Sequence, residues 1–354
     1  MRSAEEILAA IRELHPAPVK LMEVCGTHTM AIAKAGIKSV LPAGVELLSG
    51  PGCPVCVTPA EVIDGILDLA MEPGVVIASY GDMLRVPGSR PGDSLLRRRA
   101  LGAKVEIVYS PMDAIEIAKV HPEKEVVFLG VGFETTAPGT AAAVLAAREQ
   151  GVKNFSVWSM LKLVEPALRA LMAMEGFEIQ GFLCPGHVAT IIGERGFRFL
   201  AEDCGMPAVI SGFEPEDILL SVYALLRQIA EGRPRLQNEY TRAVSKNGNE
   251  LAQAVMARAF EPRPDLWRGL GAIEASGLGL KEELRDFDAQ KRFGLEQLPE
   301  PKPTACRCGQ VITGRMGPKD CPLFGKRCTP EDPVGPCMVS SEGACAAAYK
   351  YSAV

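Results

Sequence analysis

Short apolar runs alternate with amphipathic stretches along the first 230 residues of the chain. Runs that are typical of buried strands lie at residues 19–24, 44–50, 75–80 and 104–110. Between them, the spacing of hydrophobic positions at 60–71 and 113–121 predicts helices. Strands that alternate with helices in this way predict a parallel sheet that is covered by helices on both faces.

Start signals support three of the predicted helices. In each, Ser or Thr stands at the N-cap and Glu or Asp follows three residues later, which is the pattern of a capping box. The pairs are Ser3 with Glu6, Thr58 with Glu61 and Ser110 with Asp113, and a proline directly follows the cap in the last two. The first helix is predicted to end before Pro16, and the glutamates within it argue against a signal peptide.

Residues 126–230 repeat the pattern of the first block. Segment 126–139 parallels 19–32, segment 181–190 parallels 47–56, and segment 207–219 parallels 75–87. We therefore predict an α/β protein with an N-terminal helix at 1–18 and two similar parallel-sheet α/β domains at 19–125 and 126–230. A helical connector at 231–295, with helices at 249–260 and 281–293, is predicted to lead into a small cysteine-rich domain at 296–354. Because open parallel sheets bind ligands at the C-terminal ends of their strands, the turns there are the candidate site.

Six of the eleven cysteines lie in the last 50 residues. Cys306, Cys321, Cys328 and Cys345 are spaced C-x14-C-x6-C-x16-C, and Cys308 and Cys337 lie among them. Prolines and glycines interrupt this segment and it has little apolar periodicity, so a metal centre or disulfides must order it. The spacing matches neither the C-x2-C pairs of zinc ribbons nor the compact ferredoxin pattern. It favours a 4Fe–4S cluster held by four thiolates, with two thiols to spare, over structural zinc or plain disulfides.

The predicted turns hold further reactive residues. Cys53 and Cys56 form CPVC at a predicted helix start, where the helix dipole lowers a thiol pKa and favours redox or metal chemistry; the alternative is two small buried side chains. Cys25 and His28 lie on the turn after the first strand, where they could share a site with CPVC. The alternative for Cys25 is a buried core side chain. His187 follows a Pro-Gly turn and is either a site residue or a cap for its own loop.

Glu134 lies in the FETT turn, at the start of a predicted helix. Its carboxylate and the two threonine hydroxyls that follow could bind an anion or a partner, or could simply cap the helix. The turn is not a Walker A loop, because the chain contains no G-x4-G-K-[ST] motif. Cys184 and Cys204 are interpreted as structural.

Composition limits the classes of function. With 354 residues, 47% hydrophobic and 23% charged, the chain has ordinary globular usage and room for two or three domains. A net charge of −5 argues against nucleic acid as the main partner, and no apolar run is long enough to cross a bilayer. An odd number of cysteines without an export signal predicts a cytoplasmic protein whose thiols are mostly reduced or metal-bound.

Motifs spread over nearly the whole chain point to a family. They are CGTHTM (25–30), GPGCPVC (50–56), YGDMLRVPG (80–88), GFETTAPGTA (132–141), CPGHV (184–188), CPLFGKRCTP (321–330) and GPCMVSSEGACAAAYKY (335–351). In content and in order, these motifs resemble the HypD family of nickel–iron hydrogenase maturation proteins.

The resemblance implies two related α/β domains and a third domain that carries a 4Fe–4S cluster. It also implies a scaffold on which the Fe(CN)2CO unit is built together with the small chaperone HypC, with cyanide delivered by HypE after HypF has charged it. Matched residue by residue, the cluster ligands are Cys306, Cys321, Cys328 and Cys345, the disulfide-capable pair is Cys308 and Cys337, and the thiols of the iron-assembly site are Cys25, Cys53 and Cys56.

Within this scheme we predict that Cys25 anchors the iron, because CPVC is better suited to redox cycling as a dithiol. His28 is predicted to face the same cleft, and His28 and His187 are candidate hydrogen-bond donors or proton carriers. A HypC-type partner is expected to dock across the cleft between the two α/β domains. Two other classes stay open: an iron–sulfur-dependent thiol–disulfide oxidoreductase that binds no further iron, and a zinc-stabilised interaction protein.

Overall fold

The computed structural model describes residues 3–14, 18–297 and 304–351. Strands in these ranges are β1 (Val19–Glu23), β2 (Val45–Ser49), β3 (Val75–Ser79), β4 (Lys104–Ile107), β5 (Glu125–Gly132), β6 (Phe155–Leu161), β7 (Gly181–Pro185), β8 (Ala208–Ser211), β9 (Leu236–Asn238), β10 (Phe260–Trp267) and β11 (Gly271–Leu280). They form one five-stranded sheet, one four-stranded sheet and a two-stranded hairpin.

The helices in the same ranges are mostly short. The α-helices are α1 (Ala4–Glu13), α2 (Gly26–Lys34), α3 (Ile37–Val40), α4 (Pro54–Val57), α5 (Ala60–Leu69), α6 (Leu95–Ala100), α7 (Pro111–Val120), α8 (Ala137–Glu149), α9 (Val164–Met172), α10 (Gly186–Ile192), α11 (Arg198–Glu202), α12 (Pro215–Glu231), α13 (Glu250–Ala259), α14 (Ala289–Arg292), α15 (Cys308–Ile312) and α16 (Ala344–Tyr351). Turns of 3-10 helix lie at Gly81–Arg85, Glu194–Phe197, Glu282–Phe287, Pro318–Asp320 and Pro336–Met338. No helix in the described part of the chain is long and apolar enough to cross a membrane.

Both larger sheets are entirely parallel, as the alternating pattern predicts. The five-stranded sheet has the order β2-β1-β7-β8-β9 and the four-stranded sheet has the order β4-β3-β5-β6. Helices cover their faces, and strands such as β3, β6 and β8 are buried along their whole length. The predicted α/β class with two parallel sheets and a cysteine-rich end is confirmed.

The sheets divide the chain differently from the predicted domains at 19–125 and 126–230. The five-stranded sheet takes β1 and β2 from the beginning of the chain and β7 to β9 from residues 181–238, while the four-stranded sheet is formed by residues 75–161 between them. The predicted boundary at 125/126 falls at the start of β5, which pairs with β3 on one side and β6 on the other. A repeated local pattern identifies strands but carries no information about which of them pair.

The predicted helical connector at 231–295 is largely wrong. Helix α13 matches the helix predicted at 249–260. The helix predicted at 281–293 is absent, since that segment forms only a 3-10 turn and the short α14. The connector also contributes β9 to the edge of the five-stranded sheet and contains the antiparallel hairpin β10–β11. Pro262 and Pro264 within β10 conceal this strand in the sequence, because proline is tolerated only at sheet edges.

Two of the three predicted helix caps are confirmed. Ser3 with Glu6 and Ser110 with Asp113 form capping boxes. Thr58 is not an N-cap: CPVC forms its own helical turn, α4, and the Thr58 hydroxyl donates a hydrogen bond to the carbonyl of Pro54 at the end of that turn. Helix α5 therefore begins later, with Pro59 at its N-cap.

The cysteine-rich segment does not stand apart from the rest of the core. Buried side chains of α15 and of the 3-10 turn at Pro336–Met338 belong to the same hydrophobic cluster as Cys56 and strands of both sheets. Helix α16 packs against α2, which starts directly after Cys25. The segment is thus ordered in part by packing on the two sheets, a contribution that its own apolar pattern does not indicate.

Candidate functional site

A cleft opens at the C-terminal ends of strands from both parallel sheets, where ligands of such sheets bind. We call it the central cleft. Its walls come from the turns that follow β1, β2, β7, β3 and β5, and from one loop of the cysteine-rich segment. The polar residues that line it are Cys25, Thr27, Tyr80, Asp82, Thr135, Thr136, His187, Ser340 and Glu342.

Cys25 lies in this cleft at the N-cap of α2. Its backbone N–H donates to Oε2 of Glu23 at 3.0 Å, and the second carboxylate oxygen of Glu23 accepts a hydrogen bond from the Thr29 hydroxyl at 2.5 Å. Burial raises the pKa of the Cys25 thiol to about 12 and that of Glu23 to about 7. Without a metal or a cation beside it, Cys25 is therefore a neutral thiol at physiological pH.

The CPVC turn packs directly on the Cys25 turn. The backbone N–H of Gly26 donates to the carbonyl of Gly52 at 3.0 Å, and a Cβ on Gly52 would overlap the backbone of Cys25. However, only Pro54 and Val55 of CPVC line the central cleft. The Cys53 sulfur accepts a hydrogen bond from the N–H of Cys56 at 3.2 Å, and both thiols are buried away from the cleft.

A continuous line of thiols runs from CPVC into the cysteine-rich segment. Neighbouring thiols shift one another's pKa in the order Cys53, Cys56, Cys337, Cys308 and Cys306, and the turn α4 packs against both α15 and the 3-10 turn at Pro336–Met338. We call these five residues the thiol chain. Burial raises the pKa of Cys56 well above its ordinary value. Four of the five thiols are buried, and the fifth, Cys306, is partly exposed, so solvent reaches the chain mainly at one end.

Four cysteines border one small cavity at that end. Cys306, Cys321, Cys328 and Cys345 line it together with the inner pair Cys308 and Cys337 and with apolar side chains of Val311, Leu323, Phe324 and Met338. We call it the cysteine cavity. Gly335 also belongs to its wall, and a Cβ at this position would clash with the sulfur of Cys306. Within the described ranges, no group of three His, Cys, Asp or Glu side chains could hold a single metal ion.

The donor set of the cysteine cavity fits an iron–sulfur cluster. It offers four soft sulfur donors in an apolar setting, which is the usual ligand type for such clusters. Backbone N–H groups point at two of these sulfurs: that of Cys308 lies 3.3 Å from the sulfur of Cys306, and that of Val334 lies 3.4 Å from the sulfur of Cys328. Hydrogen bonds of this kind to cluster thiolates help to set the reduction potential.

His28 does not face the central cleft, in contrast to the prediction. Its Nε2 lies 2.8 Å from the carbonyl oxygen of Gly212, and its ring packs against Phe213 at a centroid distance of 4.7 Å. Complete burial lowers the pKa of this histidine to about 4, so it stays neutral. The first turn of α2 rotates His28 away from Cys25 and toward the end of β8, a direction that sequence spacing alone does not reveal.

His187 does line the central cleft. It is exposed, and its ring stacks on Phe213 at a centroid distance of 4.0 Å. Partial burial lowers its pKa, while the nearby carboxylate of Glu342 acts in the opposite direction. The imidazole is therefore placed to exchange protons or to donate a hydrogen bond into the cleft.

Glu134 lies away from the thiols. One of its oxygens accepts the backbone N–H of Val164 at 2.9 Å, and the other has no hydrogen-bond partner within the described residues. It borders a separate cavity between α9, α10 and α13, whereas the next two residues of the FETT turn, Thr135 and Thr136, line the central cleft. Burial raises the pKa of Glu134 to about 7.

Glu342 is a cleft residue that sequence reasoning missed. Its Oε1 accepts a hydrogen bond from the Thr27 hydroxyl at 2.7 Å, and its side chain packs so closely on Gly26 that a Cβ there would lie 2.5 Å from the Cβ of Glu342. It comes from the loop before α16, so the cysteine-rich segment contributes a carboxylate next to Cys25. No local signal links positions more than 300 residues apart.

The two remaining cysteines lie outside both sites. Cys184 is fully buried in β7, as expected for a structural residue, and burial raises its pKa. Cys204 is exposed and its sulfur lies 3.8 Å from Nη1 of Arg169, so it is a surface thiol rather than a core side chain.

Comparison with known proteins identifies the family of the chain. Residues 2–352 match the family model HypD, described as the hydrogenase formation hypA family. The chain belongs to the HypD family. Among curated relatives, the chain is 46% identical over 339 residues to the hydrogenase maturation factor HypD of Rhodobacter capsulatus, and the match covers 94% of this chain and 89% of the relative. The HypD proteins of Azotobacter vinelandii and Escherichia coli K12 are 46% and 44% identical, with the same coverage.

Proposed function

We propose that this HypD-family chain is a maturation factor for nickel–iron hydrogenase that carries the iron of the Fe(CN)2CO unit on Cys25. One observation supports the proposal most: Cys25 lies in an open cleft, while the adjoining turn begins a line of thiols that ends at Cys306, one of the four cysteines around the cysteine cavity. An iron site next to a redox path is what ligand delivery to ferrous iron requires. Membership of the HypD family supports a role in hydrogenase maturation. The geometry supports separate roles for Cys25 as iron anchor and for the thiol chain as redox path.

The iron with its cyanide and carbonyl ligands is cargo in this proposal. A low-spin ferrous ion is bound by soft anionic donors, so a single cysteine thiolate is a suitable anchor. Because the pKa of free Cys25 is high, the thiol must lose its proton when iron binds, and His187, which follows the neighbouring strand β7 and lines the same cleft, is a candidate acceptor. Glu23 orients the anchor through the Cys25 N–H, and Glu342 holds the Thr27 hydroxyl beside it.

The cysteine cavity is the proposed site of a resident 4Fe–4S cluster, with Cys306, Cys321, Cys328 and Cys345 as ligands. When bound, such a cluster stores and releases single electrons. Zinc also accepts four thiolates, so metal analysis separates these cofactors: about four irons per chain support the cluster, and one zinc per chain contradicts it.

The thiol chain is the proposed redox path. A dithiol at Cys53 and Cys56 can reduce a disulfide between Cys308 and Cys337 through attack of the Cys56 sulfur on Cys337, which gives a mixed disulfide and releases the Cys308 thiol. Cys53 then attacks Cys56, which closes the CPVC disulfide and releases Cys337. Two electrons and two protons move in total. The packing of α4 against the 3-10 turn that holds Cys337 supports this order of exchange.

A free-standing thiol–disulfide oxidoreductase is the second candidate. It would need one CPVC thiol to reach a disulfide in another protein. Cys53 is 4% exposed and Cys56 is fully buried, so a protein disulfide cannot approach them in this conformation. The geometry therefore favours internal exchange along the thiol chain.

For partners, we propose a HypC-type chaperone that docks over the central cleft and a transient contact with HypE as cyanide donor. The cleft is bounded by turns from both sheets, so a protein that covers it would contact both. Cross-linking from a probe at Asp82, on the rim of the cleft, tests this contact. Cross-links found only on the cysteine-rich segment would contradict it.

The deciding experiment compares Cys25→Ala with Cys184→Ala in protein purified anaerobically with its HypC-type partner. We expect infrared bands of iron-bound cyanide and carbonyl in the unmodified complex and in Cys184→Ala, whose thiol is buried outside both sites. Cys25→Ala should lose these bands and keep the visible spectrum of the cluster. Full infrared bands in Cys25→Ala would place the anchor elsewhere.

A further inference from the structure

Arg268 is a cation with no carboxylate partner in the described part of the chain. It lies in the turn of the β10–β11 hairpin, and its Nε and Nη2 donate to the carbonyl oxygen of Thr58 at 3.1 and 2.8 Å. Its backbone N–H donates to the carbonyl of Val57 at 2.8 Å. The guanidinium is thus held at the C-terminal end of α4, the helical turn formed by CPVC.

The same hairpin turn touches the helix that carries Cys308. Gly269 has a φ of +80°, and a Cβ at this position would lie 2.6 Å from the Cα of Gly309 in α15. Since Gly309 also lacks a side chain, the two backbones can approach in this way. Arg268 is therefore fixed between the CPVC turn and the start of α15 by backbone contacts on both sides.

From this position Arg268 lies near two members of the thiol chain. Val57, whose carbonyl accepts its backbone N–H, directly follows Cys56, and Gly309, which its hairpin turn contacts, directly follows Cys308. Cys308 borders the cysteine cavity, so a fixed positive charge lies close to the proposed cluster site.

We propose that Arg268 raises the reduction potential at the cysteine cavity by holding an unpaired positive charge between the CPVC turn and the start of α15, where Cys308 borders the cavity. The inference rests on the proposed iron–sulfur cluster. A cluster with four thiolate ligands is anionic and gains one more negative charge when it accepts an electron, so a nearby cation stabilises the reduced form. No bond forms or breaks in this role; the charge only shifts an electron-transfer equilibrium.

Two substitutions separate charge from contact. In Arg268→Gln the side-chain amide can still donate to the Thr58 carbonyl, but the charge is lost. In Arg268→Lys the positive charge is kept, but the planar guanidinium that donates two hydrogen bonds to the Thr58 carbonyl is lost. Arg285→Gln is the control, because Arg285 is an exposed residue paired with Glu282 and the substitution changes the net charge equally.

The readout is the midpoint potential of the cluster in anaerobic full-length protein, titrated with dithionite and followed by electron paramagnetic resonance. For Arg268→Gln we expect about a tenfold weaker preference for the reduced form, which corresponds to a midpoint about 59 mV lower for one electron. Arg268→Lys should recover most of the difference, and Arg285→Gln should match the unmodified protein. An intact cluster with an unchanged potential in Arg268→Gln would overturn the proposal, as would equal shifts in the Gln and Lys variants.

If Arg268→Gln does not retain the cluster, Arg268→Lys decides alone. Its potential should fall as the pH rises through the titration of lysine, at about pH 10, while the unmodified protein, whose arginine keeps its charge, should show no such step. A flat profile for the lysine variant would contradict the proposal. If the unmodified protein forms no cluster, the proposed iron–sulfur site itself is contradicted. That result is distinct from one that contradicts only the role of Arg268.

Discussion

The central cleft and the cysteine cavity are both bordered by cysteines, yet they are built in opposite ways. The cleft is formed by strand ends of two buried parallel sheets, and polar groups such as Glu23 and Glu342 hold its turns. The cavity is formed by loops, 3-10 turns and short helices with apolar walls and six crowded thiols. The first site is held by hydrogen bonds at strand ends, whereas the second is held by the packing of short elements on the main hydrophobic core.

The pKa values of the thiols express the same difference. Burial raises the pKa of Cys25 to about 12 as an isolated thiol. In the cavity, burial and the neighbouring thiols Cys306, Cys328 and Cys321 together raise the pKa of Cys345 to about 12. Four thiolates that line one cavity repel one another unless a cationic centre lies between them, so we expect a bound metal centre to stabilise this segment.

The largest expected effect is the loss of one cavity thiol. Cys328→Ser should abolish the visible absorbance, lower the iron content from about four atoms per chain to near zero, and destabilise residues 304–351. Cys25→Ser should leave both the absorbance and the melting temperature nearly unchanged. Iron analysis, visible spectroscopy and thermal unfolding measure these outcomes. Equal losses in both variants would remove the contrast between the two regions.

A second test concerns a carboxyl in the cleft. The pKa of Glu23 rises from 4.5 to about 7 on folding, so the folded state binds its proton more tightly than the unfolded state. Protonated Glu23 therefore contributes about 3 kcal/mol to the free energy of unfolding. This contribution is fully present below about pH 4.5 and is lost as the pH rises through 7. Glu23→Gln should remove this part of the pH dependence, as measured by urea unfolding between about pH 4.5 and 8.

Glu134→Gln is the matched control for that experiment. The pKa of Glu134 is raised to about 7 by the same cause, but its carboxylate contacts Val164 rather than Cys25. Both variants should flatten the stability profile to a similar degree, whereas only Glu23→Gln should change the rate at which Cys25 is alkylated. A change of the alkylation rate in Glu134→Gln would show that the two carboxyls are not independent.

A third test fills the cavity wall. Gly335→Ala should place a methyl group against the Cys306 sulfur, which displaces a ligand and costs about 1–3 kcal/mol through overpacking. We expect a partly lost or altered visible spectrum and an unchanged central cleft. Gly81→Ala is the control, because a Cβ there meets no atom within 4 Å. A normal spectrum in Gly335→Ala would mean that Cys306 does not bind the cluster.

The smallest expected effect concerns the one carboxylate that the cysteine-rich segment contributes to the cleft. Glu342→Gln can keep the hydrogen bond to Thr27 but loses the negative charge, so stability should change by less than about 1 kcal/mol. Iron retention at Cys25 should weaken while the cluster spectrum stays intact. Isotopically labelled iron, counted after desalting, measures this retention, and unaffected retention would show that the charge of Glu342 is not required.

Local features of this fold could be predicted from the sequence, and long-range ones could not. Apolar runs identified the strands β1 to β5, β7 and β8 to within a few residues. The apolar pattern is continuous in strands such as β3 and β8, which are buried on both faces, and is weaker in the edge strands β2 and β4, which are partly exposed. The pairing of β1 with β7, in which Leu21 lies opposite Gly181, has no such local sign. This is why the predicted domain boundary cuts through the four-stranded sheet.

The same limit applies to the site. Cys25 and the CPVC turn could be predicted to meet, since both follow neighbouring parallel strands. The directions of His28 and Glu134 depend on the rotation of a helical turn, which spacing alone does not reveal: His28, predicted to face the cleft, packs at the end of β8, and Glu134 borders a separate cavity. Glu342 and Arg268 reach their positions through tertiary packing of loops, which leaves no periodicity in the sequence.

The interleaved order of the two sheets has a consequence for biosynthesis. Strand β1, which carries the turn with Cys25, lies between β2 and β7, but β7 follows only after the whole four-stranded sheet has been made. At about 5–20 residues per second, a ribosome needs about 10–30 seconds to synthesise that neighbouring strand. During this interval one edge of β1 stays unpaired and prone to wrong association. A chaperone that bound the nascent chain near Cys25 would cover the unpaired edge of β1 until β7 has been synthesised.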